Sequence, residues 1–149
     1  SLFVEIGWHR RAPQTKEDIH NVLLDMGYTA LFHFCDALLR LFGFDTYKGY
    51  YHQLFFQRKS LVCDVVEPMR VIIDYQLLKS FHLNQIHEED FIFQNRRFEF
   101  KNGFKGAQVY SSLFLQTIHD HKKGIYEYVL GFYRYIMNDV KYQFPKFDF

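Results

Sequence analysis

The sequence predicts a mainly α-helical bundle with one small β-hairpin. Three observations lead there. Long stretches repeat apolar residues at three- and four-residue steps, as helices with one buried face do. One short stretch, around Asn95, alternates as strands do. Aromatic residues are abundant enough to fill a core: of 149 residues 48% are hydrophobic and 20% aromatic, including 18 Phe and 11 Tyr. This composition excludes a disordered chain, and the length fits one domain with a sizeable core. The formal net charge is +1. Bulk charge therefore does not announce a nucleic-acid binder, although acidic site residues can offset a basic groove in such a total.

The first helix is predicted behind a capping box of Thr15 and Asp18. Ile19, Val22, Leu23, Met26, Ala30, Phe34, Ala37, Leu38 and Leu41 supply its apolar recurrence, and Gly43 its stop. "GFDTYKGYY" reads as a glycine-punctuated loop. A second long helix is predicted from Ser60, a good N-cap, to about His82. "NQIHEED" follows as a polar connection. "DFIF" and "RRFEFK", joined at Gln94–Asn95, form the hairpin. Two more helices are predicted, at about Ala107–His119 and Gly124–Tyr142, and Pro145 rules out helix in the tail. The "HDHKK" run (His119–Lys123) reads as a helix junction. Tyr126, Tyr128, Phe132, Tyr133 and Tyr135 read as packing residues of the last helix.

The second helix poses a chemical question. At about 100° per residue, Val62, Val66, Met69, Ile73 and Leu77 share one face. Yet the opposite side carries apolar residues too, with Asp64, Glu67 and Asp74 set among them, and Pro68 interrupts the run. Carboxylates in such surroundings call for a partner. Two readings satisfy them. Arg70 lies within helical reach of both Glu67 and Asp74 and can form an internal salt bridge. Alternatively, the acids join His52 from the preceding segment around a divalent cation. Pro68 withholds one helical N–H and is expected to kink the axis beside Glu67.

Cys35 and Cys63 both fall in apolar helical patterns and read as buried free thiols, which suits a reducing cytoplasm. No run of about 18 consecutive apolar residues marks a membrane span. The start shows no signal peptide and no initiator Met, so it reads as that of a fragment or a processed chain.

Three stretches carry a resemblance. "WHRRAP" (Trp8–Pro13) followed by "DIHNVLLDMGYTAL" (Asp18–Leu31) is similar to an Arg-Arg-Pro run with D-x-x-N-x-L-L-x-x-G-Y-x-x-L. "FGFDTYKGYYH" (Phe42–His52) is similar to G-L-D-x-x-x-G-F-x-H. "SLVCDVVEPMRVIID" (Ser60–Asp74) is similar to S-L-x-x-D-x-x-E-P-x-R-x-x-x-D. In this order they resemble the C-terminal helical catalytic domain of the CRISPR adaptation integrase, the larger of the two near-universal CRISPR-associated proteins. The resemblance implies a metal-dependent DNA integrase and endonuclease that inserts captured DNA fragments into the repeat array by transesterification. It implies Mg²⁺ or Mn²⁺ held by His52, Glu67 and Asp64, with His52 and Glu67 catalytic and Arg70 holding a carboxylate in place. Apart from the resemblance, the basic residues that could contact DNA phosphate are His9, Arg10, Arg11, Lys48, Arg58, Lys59, Arg96 and Arg97; Arg58 and Lys59, between His52 and the acidic helix, are the first choice, with Arg10 and Arg11 beside them. Implied partners are DNA, a second copy of the chain and a small companion protein, in the cytoplasm and with no membrane.

The family's first metal-ligand glutamate and its N-terminal β-rich domain have no counterpart in residues 1–149, so this stretch is expected to hold an incomplete site. The alternative from another class is a catalytically silent helical dimerisation or scaffold domain with Glu67, Arg70 and Asp74 as a salt-bridge cluster.

Overall fold

The computed structural model describes residues 18–43, 61–136 and 143–149. The protein is mainly α-helical with one two-stranded antiparallel sheet, as predicted. In chain order the elements are α1 (Ile19–Leu41), a helical stretch α2 over 61–66, a 3₁₀ turn Glu67–Met69, α3 (Arg70–His82), a 3₁₀ turn Glu88–Asp90, β1 (Phe91–Gln94), β2 (Arg97–Phe100), α4 (Gly103–Asp120) and α5 (Lys122–Ile136).

Local chemistry sets each boundary. The Asn21 N–H bonds Asp18 Oδ1 at 2.8 Å, so Asp18 itself caps α1 and is not the inner member of a capping box. Thr15 lies outside the described residues. Gly43, at φ 106°, ends the helix as predicted, with its N–H on the Arg40 carbonyl at 3.1 Å. α3 closes the same way through Asn84 at φ 54°, and the Gln85 N–H reaches the Ser80 carbonyl at 2.9 Å. The hairpin turn falls on Asn95–Arg96, one residue later than predicted, because Gln94 pairs with Arg97. Both turn residues have positive φ, 53° and 62°, which matches the twist two-residue hairpins prefer. α4 begins at Gly103, four residues before the predicted Ala107. α5 begins at Lys122, two before the predicted Gly124, and its predicted end at Tyr142 lies outside the described residues.

The chain forms two compact units. Of the described residues, the first comprises 18–29 and 72–117. Its core is Val22, Leu23, Leu24, Ile72, Ile73, Leu77, Phe91, Tyr110 and Phe114. Gln76 is buried there and donates to Ser80 Oγ at 2.9 Å, so two polar groups satisfy each other inside. The second unit comprises, of the described residues, 30–43, 61–71, 118–136 and 143–149. Its core is Leu31, Cys35, Leu38, Leu39, Val62, Val65, Val66, Met69, Ile118, Ile125, Tyr128, Val129 and Phe132. In this unit residues 143–149 lie along α5. Phe144 meets Phe132 and Tyr135 edge-on, Phe147 meets Tyr128, and Phe149 stacks on His121. The predicted aromatic packing of α5 is therefore present, with Tyr126 and Tyr133 set against Phe42.

Two burial expectations are corrected. Leu41 is 78% exposed, while Leu24, Leu31, Cys35 and Leu39 are buried. The buried face of α1 is thus rotated from the predicted one towards its C-terminal end. Cys35 is buried, and burial pushes its thiol up to about 12, but Cys63 is exposed on α2. α1 is long and apolar enough to cross a membrane by length and composition, a test that core helices also pass; 44% of its most apolar window is buried within the protein.

Candidate functional site

The candidate site is built on the break between α2 and α3. Pro68 has no N–H, so the helical bond from residue 68 to the carbonyl of residue 64 cannot form. The chain tightens into a 3₁₀ turn over Glu67–Met69, and the Arg70 N–H bonds the Glu67 carbonyl as α-helix resumes. The predicted kink is therefore a change of helix type. Val62, Val66, Met69, Ile73 and Leu77, the predicted inward set, are all buried.

Their opposite side is not apolar at this end. Cys63, Asp64, Glu67 and Pro68 are all exposed. The expectation of an acidic stripe within a buried helix is thereby corrected: Asp64 and Glu67 face water and need no partner to offset burial. Glu67 nevertheless has one. Arg70 Nη1 lies 2.7 Å from Glu67 Oε2, with the Glu67 side chain 65% exposed and the Arg70 side chain 29% exposed. A pair whose carboxylate side is open to water contributes about 0–1 kcal/mol to stability. Its main effect is to fix where the carboxylate points. Among the described residues no three His, Cys, Asp or Glu side chains gather closely enough to hold a metal ion. His52, Arg58, Lys59, Arg10 and Arg11 lie outside the described residues.

Asp74 has a structural partner in the first unit: the Tyr28 hydroxyl donates to Asp74 Oδ1. Beside it, a Cβ on Gly27 would strike Ile73 Cγ2 and lie 2.9 Å from Phe114 Cδ1. Asp18, Asn21, Gly27 and Tyr28 all belong to the first of the three stretches singled out above, and Ile73 and Asp74 end the third. Asp18 caps, Asn21 is buried and bonds Asp18 Oδ2 at 2.6 Å, Gly27 permits close approach, and Tyr28 ties the two stretches together. These residues build the scaffold, which leaves Asp64 and Glu67 as the solvent-facing acids of the third stretch.

Sequence reasoning missed a second network. Tyr110, buried in α4, donates to Asp90 Oδ2 at 2.6 Å and accepts the His87 N–H at 3.1 Å. In the sequence "HEED" (His87–Asp90) is only the end of the polar connection "NQIHEED". The signal available was a Tyr in the apolar face of a helix, which needs a polar partner when buried. Burial first, then the bond to Asp90, pushes the Tyr110 hydroxyl up to about 12. Tyr110→Phe is expected to cost about 1–2 kcal/mol, because Asp90 and the His87 N–H lose their partner. The raised pKa fixes the sign of the pH dependence. The hydroxyl's contribution is fully present below the ordinary tyrosine value, near 10, and is lost as pH rises towards about 12. Thermal melts of both proteins from pH 8 to 11.5 should show the difference shrinking only above about pH 10.

Residues 2–107 match the family model described as "CRISPR associated protein Cas1". The chain belongs to the Cas1 family. The match runs through α1, α2, α3 and the hairpin, and α5 lies beyond it. The chain is 39% identical over 77 residues, 50% of its length, to "CRISPR-associated endonuclease Cas1 1" of Thermodesulfovibrio yellowstonii. It is 33% identical over 88 residues, 58% of its length, to "CRISPR-associated endonuclease Cas1 3" of Thermus thermophilus. It is 35% identical over 85 residues, 56% of its length, to a "CRISPR-associated exonuclease Cas4/endonuclease Cas1 fusion" of Geobacter sulfurreducens. The matched stretches make up 24%, 26% and 15% of these Cas1 relatives, so the chain spans about a quarter or less of their lengths. No solved structure matches it.

Proposed function

We propose that the chain carries part of the active site of a DNA integrase and endonuclease of CRISPR adaptation. His52, Glu67 and Asp64 would ligate a Mg²⁺ or Mn²⁺ ion, and His52 and Glu67 are the catalytic residues. The observation that carries this reading is Glu67 itself. It is an exposed carboxylate on a proline-induced 3₁₀ turn, oriented by Arg70 at 2.7 Å. Asp64 is exposed one helical turn earlier. Carboxylate oxygens suit hard divalent cations, and an imidazole nitrogen adds preference for Mn²⁺. Membership in a family whose relatives are named endonucleases supports the same reading.

A bound ion would neutralise charge on the attacked phosphate and polarise the attacking hydroxyl for transesterification. The chain's own residues do the rest. Glu67 and Asp64 present the oxygens, Arg70 keeps the Glu67 carboxylate aimed, and His52 offers a neutral nitrogen. Arg58, Lys59, Arg10 and Arg11 hold phosphate and fix the register of the DNA. The glutamate that the resemblance adds to this ligand set is assigned to no residue of this chain. The setting is cytoplasmic, and the partners are captured DNA, the CRISPR repeat, a second copy and the small companion protein.

His52→Ala tests the reading with the full-length protein. Wild type should cleave branched DNA in Mn²⁺ and melt at a higher temperature with Mn²⁺ than with EDTA. The variant should lose both the activity and the Mn²⁺ shift while keeping its metal-free melting temperature. Wild-type cleavage by the variant would remove His52 from the site. No Mn²⁺ shift and no cleavage in either protein would leave the silent helical scaffold as the better account.

A further inference from the structure

One face of α5 is covered by residues 143–149, which do not fill it. Gly124, Tyr128, Gly131 and Tyr135 recur at steps of four, three and four, so they line up along one side of the helix. The two glycines leave notches between the rings. Residues 143–149 cross these notches antiparallel to α5. Phe144 meets Phe132 and Tyr135 edge-on, Phe147 meets Tyr128 edge-on at 5.8 Å, and Phe149 stacks on His121. A Cβ on Gly131 would lie 3.2 Å from Pro145 Cβ, and one on Gly124 would lie 3.8 Å from the Phe147 ring. The notches thus accept a proline and, two residues on, an aromatic ring. Proline holds such a segment extended, and aromatic-lined grooves are a recurring receptor for extended proline-containing peptides.

The covering segment sits shallowly. Phe144 is 55% exposed and Phe149 56%, and Pro145 and Phe147 are half-buried. The floor beneath them is core: Tyr128 and Phe132 are buried. Between floor and cover lies a cavity of about 290 Å³, lined by Gly124, Glu127 and Tyr128 on the helix and by the segment from Pro145 to Asp148. Rings that border empty space lose contacts a better-shaped occupant would make. A segment with few buried contacts also opens at little cost. The groove is therefore better formed than the fit of what occupies it.

We propose that this face of α5 is a docking groove for an extended Phe-Pro-x-Phe segment of a partner protein, and that residues 143–149 are a placeholder which the partner displaces. The groove lies within the second unit and beyond the residues that match the family model. The proposal does not depend on the reading of the chain as acting on DNA.

The test is fluorescence anisotropy of the full chain with three labelled synthetic peptides. The first copies residues 143–149, the second is the same peptide with Lys146→Trp to fill the cavity, and the third carries Pro145→Ala and Phe147→Ala. Wild type should bind the copy weakly, because the tethered segment competes at high effective concentration. A chain carrying Pro145→Ala and Phe147→Ala should bind it about tenfold more tightly, as when its own segment had filled the groove about nine-tenths of the time. The Lys146→Trp peptide should bind that chain several-fold more tightly than the copy does, and the alanine peptide should not bind. Gly131→Leu, added to the same chain, puts a side chain where Pro145 sits and should abolish binding; leucine favours helix over glycine, so α5 is kept. The doubly substituted chain should melt within about 3 °C of wild type. A fall of about 10 °C or more, or equal affinity for the copy in wild type and the doubly substituted chain, would make residues 143–149 a fixed part of the core and overturn the groove. No gain from Lys146→Trp would overturn the partner, since the chain's own segment would then be the best fit. Wild-type dimers in sedimentation that the copy dissociates would give the groove to a second copy of the chain and overturn the partner as well.

Discussion

Glu67→Gln is expected to reduce metal-dependent DNA cleavage by the full-length protein about a hundredfold or more while leaving its folding stability nearly unchanged. The two halves of this expectation have separate causes. Glutamine keeps the size of the side chain but removes the charge, so it is a poor ligand for a hard cation. A ligand lost from a catalytic ion weakens both the metal site and the charge stabilisation of the attacked phosphate. Stability is insulated because Glu67 is exposed and its ion pair with Arg70 is open to water on the carboxylate side. Removing it also leaves the Arg70 guanidinium partly solvated, so no unpaired charge is created in a core. The measurement is cleavage of branched DNA across a Mn²⁺ titration, beside chemical denaturation of both proteins. Excess Mn²⁺ should restore part of the rate if Glu67 acts through the ion. Unchanged cleavage would remove Glu67 from the site. Lost cleavage with a large loss of stability would make it a structural residue.

Arg70→Lys refines the same experiment. Lysine keeps the charge but replaces the planar guanidinium with a point donor. A carboxylate that depends on Arg70 for its aim should then give a lower rate at limiting Mn²⁺ and a smaller deficit at saturation. A role confined to stability would not move with metal concentration.

What was legible in the sequence divides along physical lines. Periodicity specified the inward face of the second helix because burial there is dictated by spacing, and Val62, Val66, Met69, Ile73 and Leu77 are all buried. Pro68 announced the break for a reason written in its covalent structure. Glycine marked the end of α1, since few other residues accept φ 106°. Exposure was less legible. Asp64 and Glu67 sit among apolar neighbours in sequence, but a helix turns them to water, and the sequence does not say which sides of a helix the rest of the chain covers. Networks between distant residues were not legible at all. Tyr110, Asp90 and His87 converge only because the hairpin folds back onto α4. The hairpin turn was missed by one residue because Arg96 occupies a position where glycine would have announced it.

Gly27→Ala is the substitution expected to destabilise the first unit most for the fewest added atoms. In an exposed helix the change would help, since alanine is favoured over glycine by about 1 kcal/mol. Here the new methyl has nowhere to go. It would strike Cγ2 of Ile73 and lie 2.9 Å from the ring of Phe114. Neither neighbour can swing aside: Ile73 is fully buried and branched at Cβ, and Phe114 is only 3% exposed. Relief must come from spreading α1 away from α3, which also stretches the Tyr28–Asp74 hydrogen bond. Overpacking of this kind costs about 2–3 kcal/mol after the helix-propensity gain is counted. Urea denaturation should show it as a lower midpoint at unchanged slope. Ile73→Ala provides the internal control, since it removes the γ-carbon that the new methyl meets. That variant alone should cost about 2–5 kcal/mol through its cavity. In its background the collision with Cγ2 is gone while the 2.9 Å approach to Phe114 remains, so Gly27→Ala should cost less there than in wild type, a coupling of at least about 1 kcal/mol. Additive losses would show that the helices adjust independently at this contact. A Gly27→Ala protein more stable than wild type would mean that α1 and α3 do not approach as closely as the glycine implies.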